Sequence, residues 1–190
     1  MAVFTREVVE WARGRWWQWR APLLVLLAWD GQRHLKDPDA GGLFGGITFG
    51  AHELGHLVFA VFGEFMGVIG GSLNQLLIPI AAGLLLYHHR DYFGVAVVGA
   101  WLASSLMDLA RYVGDARSFE LDLVGFGEDS LHDWAWLLGR FGIVQYDTVL
   151  AAILRGAAGL LLLTSLLSGT WLCIRMRAAT RAAAGTGPPS

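Results

Sequence analysis

The sequence predicts an all-α membrane protein: a bundle of about four transmembrane helices preceded by an N-terminal interfacial helix. Three observations predict it. Hydrophobic residues make up 55% of the 190-residue chain and charged residues only 16%, against about 25% charged in an ordinary soluble domain. Mean hydropathy is +0.48. The apolar residues also gather into stretches close to the roughly twenty residues of helix that a bilayer core requires. The length suits a single domain, read as residues 1–178, with an Ala/Gly/Pro-rich disordered tail over 179–190.

Residues 1–20 interleave Trp11, Trp16, Trp17 and Trp19 with Arg6, Arg13, Arg15 and Arg20. Indole rings and arginine stems favour the headgroup layer, so this segment reads as a helix lying in the interface. The apolar run 23–29 that follows is too short to span alone, and the spread of arginines with no clean cleavage site argues against a signal peptide. Residues 30–40 read as a polar connector. Spans are expected over 42–62, 68–87, 92–113 and 148–174, with an acidic extramembrane loop at 114–133 and a short surface helix at 132–141. Arg175, Arg177 and Arg181 close the last span and place the C-terminus in the cytoplasm. Counting back through four spans then sets the acidic loop outside and the 30–40 connector inside. The expected setting is a bacterial inner membrane.

Composition also excludes. A formal net charge of −2 with no basic block argues against nucleic acid as a partner. One cysteine, Cys173, can form neither an internal disulfide nor a cysteine-based metal site.

The chemistry centres on His52-Glu53-Leu54-Gly55-His56. On a helix, positions i and i+4 share a face, so both imidazoles can bind one Zn2+ ion, while Glu53 can reach a water on the metal without being a ligand. Zinc lowers the pKa of such a water to about 7, and the carboxylate accepts its proton during attack on a carbonyl. Ionisable groups at membrane depth are expensive, costing about 2.5–3.5 kcal/mol for a charged side chain even on lenient scales, and persist where something binds them. Two histidines leave zinc short of a third protein ligand. Asp108, towards the end of a span, is one candidate. His132 is the other, with Asp133 orienting its ring. Asn74 is read either as packing glue between helices or as part of the site.

An intramembrane His-Glu-x-x-His followed by a span carrying Gly70-x-x-x-Asn74 resembles the site-2 protease family of intramembrane zinc metalloproteases. The resemblance covers residues 45–115. It implies His52 and His56 as zinc ligands, Glu53 as the catalytic base, Asn74 as a substrate or transition-state contact and Asp108 as the third ligand. It thus implies a zinc-dependent endopeptidase acting on a transmembrane protein substrate within the lipid bilayer. The chain also resembles small bacterial membrane proteins carrying His-Glu-x-Gly-His and His-Asp-Trp segments, a resemblance that supplies no activity. Two other readings stand beside the peptidase: a non-catalytic zinc-containing scaffold that binds membrane partners, and a two-metal oxidase using Glu53-x-x-His56 and Asp129-x-x-His132.

Overall fold

The computed structural model describes residues 2–121 and 132–185. Among them every regular element is helical and no strand occurs. Seven α-helices follow in order: α1 (Ala2–Ala12), α2 (Arg20–Lys36), α3 (Gly45–Phe59), α4 (Glu64–His88), α5 (Tyr92–Gly114), α6 (Asp133–Arg140) and α7 (Asp147–Gly185). Asp129 of the two-metal reading lies outside the described residues.

Three helical stretches, α4, α5 and Val144–Ala184, which takes in nearly all of α7, are long and apolar enough to cross a membrane. The expected span at 42–62 is not one of them. Its helix, α3, has 15 residues and gives way to a 3-10 turn at Ala60–Phe62, then to Gly63 at φ 100°. At 1.5 Å per residue α3 is about 22 Å long, short of the roughly 30 Å hydrocarbon core. Gly63 stops the helix because a positive φ suits a residue without Cβ. The chain reverses there into α4, so α3 and α4 form an antiparallel hairpin.

The polar connector expected at 30–40 is helical as far as Lys36. Asp30 and His34, one turn apart on α2, are both buried. Asp30 accepts the Leu43 backbone N–H on both oxygens, at 3.1 and 2.9 Å, and meets Arg33 at 3.3 Å. This carboxylate ties the chain between α2 and α3 back onto α2. The C-terminal segment also departs from expectation, because α7 continues through residue 185. Residues 186–190 of the expected tail lie outside the described residues.

Close approach between helices depends on small side chains, as in other membrane-type packing. A Cβ added at Gly99 would strike Ser165 Oγ, and one at Gly114 would come within 3.2 Å of Ala151, so α5 and α7 run antiparallel. Gly31 abuts Leu162 and Gly169 abuts Leu24, which sets α2 antiparallel to α7 as well. The core forms two layers. Val8 and Ala12 of α1 join Leu24, Phe93, Leu172 and Met176, while Leu27 joins Ala100, Ala103, Met107, Ala158 and Leu162.

These pairings sort the charges between two ends. The N-terminal arginines, the α4–α5 turn and Arg175, Arg177 and Arg181 occupy one end. Asp30, Asp39, Asp115, Asp133 and Asp147 lie towards the other. Asp39 contacts Arg111 of the last turn of α5 at 2.7 Å. The residue 37–44 connector and the loop after α5 therefore share an end, correcting the sequence expectation that they lie on opposite sides. The expectation failed because it counted 42–62 as a crossing, whereas α2 is the element that runs from the arginine end to the acidic end.

Candidate metal centre

The His52 and His56 rings leave α3 on the same side, as their four-residue spacing requires, with centroids 4.7 Å apart. Both Nε2 atoms lie 3.2 Å from Asp133 Oδ2. The three donor atoms fall within 4.8 Å of one another, so this His-His-Asp group could hold a metal ion. The spacing fits one: around a tetrahedral centre with bonds of about 2.0 Å, ligand atoms stand about 3.3 Å apart. Asp133 is nine-tenths buried and the side chains of His52 and His56 are 12% and 28% exposed, so His56 is the most accessible of the three.

The other ring nitrogens are engaged in a way that frees Nε2 for a cation. His56 Nδ1 donates to the Gly67 carbonyl at 2.8 Å, which leaves Nε2 as the ring nitrogen turned to Asp133. His52 Nδ1 lies 2.7 Å from Gln75 Oε1. The Gln75 amide orientation follows from its other end, where Nε2 donates to the Ser105 carbonyl at 3.1 Å. With its oxygen thus turned to His52, Gln75 accepts the Nδ1 proton. The support extends one layer further: Ser105 Oγ and Thr48 Oγ1 are 3.2 Å apart and Trp101 Nε1 donates to Thr48 at 3.1 Å. Buried hydrogen-bond chains of this kind hold ligand rings in one orientation.

Gly71 forms the floor. A Cβ there would stand 2.5 Å from His56 Nε2 and 2.7 Å from His52 Nε2, so only glycine lets α4 pass behind both donor atoms. One turn away, Gly55 and Gly70 bring the two backbones together, since a Cβ at Gly55 would strike the Gly70 carbonyl. Gly71→Ala should therefore displace the imidazoles and lower metal affinity about tenfold to a hundredfold, the range for lost support of a ligand, with little change in helix content. Metal titration beside circular dichroism checks this.

Asp133 occupies the position for which Asp108 and His132 were the candidates. On α5, successive side chains are about 100° apart, so Trp101, Ser105 and Tyr112 form a stripe facing α3, whereas Ser104, Asp108 and Arg111 form an adjoining stripe. The second stripe faces α2 and the connector: Asp108 Oδ1 lies 3.2 Å from Nε2 of the buried His34, and His34 Nδ1 lies 3.5 Å from Ser104 Oγ. Asp108 is therefore brought to His34 rather than to His52 and His56.

His132 is spent at the start of α6. Its Nδ1 accepts the Ala135 N–H at 3.2 Å as a helix cap, and its Nε2 lies 3.3 Å from Asp115 Oδ2. A capping side chain folds back over its own first turn, which leaves the next residue, Asp133, to project towards α3. Asp115 in turn gathers the N–H groups of Glu120 and Leu121 and the Ser118 hydroxyl. Burial pushes the Asp115 carboxyl up, but these donors and His132 outweigh it and hold it below its usual value. Burial likewise opposes ionisation of Asp133, and the two imidazoles overcome it, so its carboxyl is also held low. The anionic form, the one that ligates, is the form favoured.

Sequence reasoning reached Asp133 only as a partner for His132. The available signal was the His-Asp pair ahead of an amphipathic segment, where the first residue caps and the second projects. Tyr112 is a further contributor. Its hydroxyl accepts the Asp133 N–H at 3.0 Å, and its ring lies edge-on to His52 with centroids 5.7 Å apart. Asn74 donates its amide to the Ala51 carbonyl at 2.7 Å and so bridges α4 to α3. Glu53 is half-buried and its carboxylate has no hydrogen bond or ion pair among the described residues, although it lies close enough to His56 and Tyr112 for its charge to act on both.

Comparison with protein-family models, with curated proteins and with solved structures finds no match to this chain. The functional reading accordingly rests on the geometry of the site.

Proposed function

We propose that this protein is a zinc-dependent intramembrane endopeptidase of a bacterial inner membrane, similar in chemistry to site-2 proteases. The reading rests on one observation: beside two converging imidazoles and a carboxylate stands a second carboxylate, Glu53, that no other group engages among the described residues. A three-ligand set leaves an open position, as catalytic rather than closed structural zinc sites do. Zinc in this centre would supply Lewis acidity to a scissile carbonyl and to an attacking water. His52, His56 and Asp133 would hold it, with Gln75 and Gly67 fixing the rings. Glu53 takes the proton from the attacking water and returns it to the departing amine, the work of a general base and then a general acid. Tyr112, whose hydroxyl accepts the Asp133 N–H, would donate a hydrogen bond to the carbonyl oxygen as charge develops there.

The charge distribution supports a sidedness. Cytoplasmic ends of membrane helices carry an excess of Lys and Arg, so the end bearing α1 and the last turns of α7 faces the cytoplasm. The metal centre then belongs to the half of the bundle away from it. In this arrangement α4, α5 and α7 are the crossings, α2 runs beside them with its polar last turns at the acidic end, and α3 covers only the site-bearing half. The substrate would be a membrane protein whose helix unwinds in that outer half.

A second reading draws on a different observation. Asp133 is 81 residues from His52, so a metal held there staples α6 to the α3–α4 hairpin. A non-catalytic scaffold needs only that staple. Metal-loaded protein incubated with bacterial membranes, followed by mass spectrometry of newly formed N-termini, separates the two. Cleavage within apolar segments that stops with a zinc chelator and returns with added zinc is expected. Absence of any metal-dependent terminus would leave the scaffold.

A further inference from the structure

At the end of the molecule away from the metal centre, α1, the turn after it and the last part of α7 enclose a cavity of about 810 Å3. Arg13, Arg15 and Arg175 line it together with Trp16, and Val9, Ala178, Ala179 and Ala182 supply apolar wall. None of the three arginines has an ion pair with a carboxylate among the described residues. Glu7, the nearby acid that is engaged, is committed to the Tyr92 hydroxyl and to Arg90. The Arg175 Nε atom is buried with no acceptor. Two of the guanidinium groups are also held in place, Arg15 over the Trp11 ring at 4.4 Å and Arg175 over Trp171 at 5.4 Å. Cations fixed on indole faces lose less freedom when an anion arrives. Arg177 over Trp17 and Arg20 over Trp19 continue the same pattern around this end.

We infer that this cavity binds the headgroup and glycerol region of an anionic phospholipid. Three uncompensated guanidinium groups call for a phosphate, which Arg engages in bidentate fashion. The alanine and valine wall calls for attached hydrocarbon, which a free phosphate lacks. The Trp and Arg side chains around the cavity are those that sit at headgroup level in a bilayer, and the excess of positive charge places this end against the anionic cytoplasmic leaflet.

The test uses the full chain in detergent, with lipid retention measured by native mass spectrometry for phosphatidylglycerol and phosphatidylcholine. Each basic side chain at an anionic surface contributes roughly a factor of five, so three predict about a 100-fold preference for phosphatidylglycerol. The double variant Arg13→Gln/Arg175→Gln should reduce the preference to about fivefold. Ala178→Trp, which narrows the cavity and keeps every charge, should weaken phosphatidylglycerol retention as well. Unchanged metal content at the opposite end shows that the variants fold. Equal retention of the two lipids, or a preference that survives the double variant, overturns the inference. So does displacement by inorganic phosphate or a soluble polyglutamate peptide at concentrations matching the lipid. If neither variant folds, the two-lipid and competitor measurements on the unaltered chain still decide.

Discussion

Glu53→Gln is expected to keep the metal and lower peptide cleavage by about 10²- to 10⁴-fold, the usual contribution of a positioned general base. The side chain is half-buried and forms no hydrogen bond or ion pair among the described residues, so an isosteric amide breaks no structural contact. The ligands His52, His56 and Asp133 are untouched. The amide cannot take a proton from water, and that is the property the proposed chemistry requires. Metal content by elemental analysis and cleavage of the same membrane preparation should therefore part company in this variant. Parallel loss of both would mean that Glu53 supports the site rather than acting in it. Full cleavage activity with bound metal would remove the peptidase mechanism altogether.

Asp133→Ala carries the second large effect, on metal affinity. Structural zinc sites with four ligands bind with about 10–16 kcal/mol, or about 3 kcal/mol for each ligand, which corresponds to a loss of affinity of about a hundredfold. Removing Asp133 also takes away the anion that both Nε2 atoms face at 3.2 Å. Asp108→Ala is the matched control. Its carboxylate faces His34, whose side chain is 1% exposed, and deleting it leaves a buried imidazole without that partner. A stability loss of about 1–3 kcal/mol is expected from an unsatisfied buried polar group, with the metal retained. Equilibrium dialysis against a zinc buffer, with thermal unfolding of the same samples, distinguishes the two variants. Loss of metal in Asp108→Ala and its retention in Asp133→Ala would reverse the ligand assignment made here.

The general reading of an all-helical chain with membrane-type helices follows from composition alone, because lipid leaves the backbone no other partner than itself within a helix. The ends of α4 and α5 were legible for a similar reason: apolar runs stop at His88-His89-Arg90-Asp91 and near Gly114. The break at Gly63 was visible as a glycine cluster, yet hydropathy alone did not show that α3 stops short of spanning. Asp30, Gln32, Arg33, His34 and Lys36 misled in the opposite direction. Five polar residues in a row of seven read as a connector, whereas Asp30 and His34 are turned inward on a helix, Asp30 against the Leu43 N–H and His34 against Asp108 and Ser104.

The sequence by itself determined that His52 and His56 share a face, because the pitch of a helix is a local property and four residues make about one turn. It also set Glu53 to the side of that face, where a carboxylate can reach a water on the metal without ligating it. Which carboxylate meets the imidazoles was decided only by tertiary structure. That choice depends on which stripe of α5 faces α3, on the cap that His132 makes, and on Gly71 letting α4 pass behind the rings. Each is a relation between segments distant along the chain, fixed by helix packing and by the direction a side chain takes when its neighbour is already engaged.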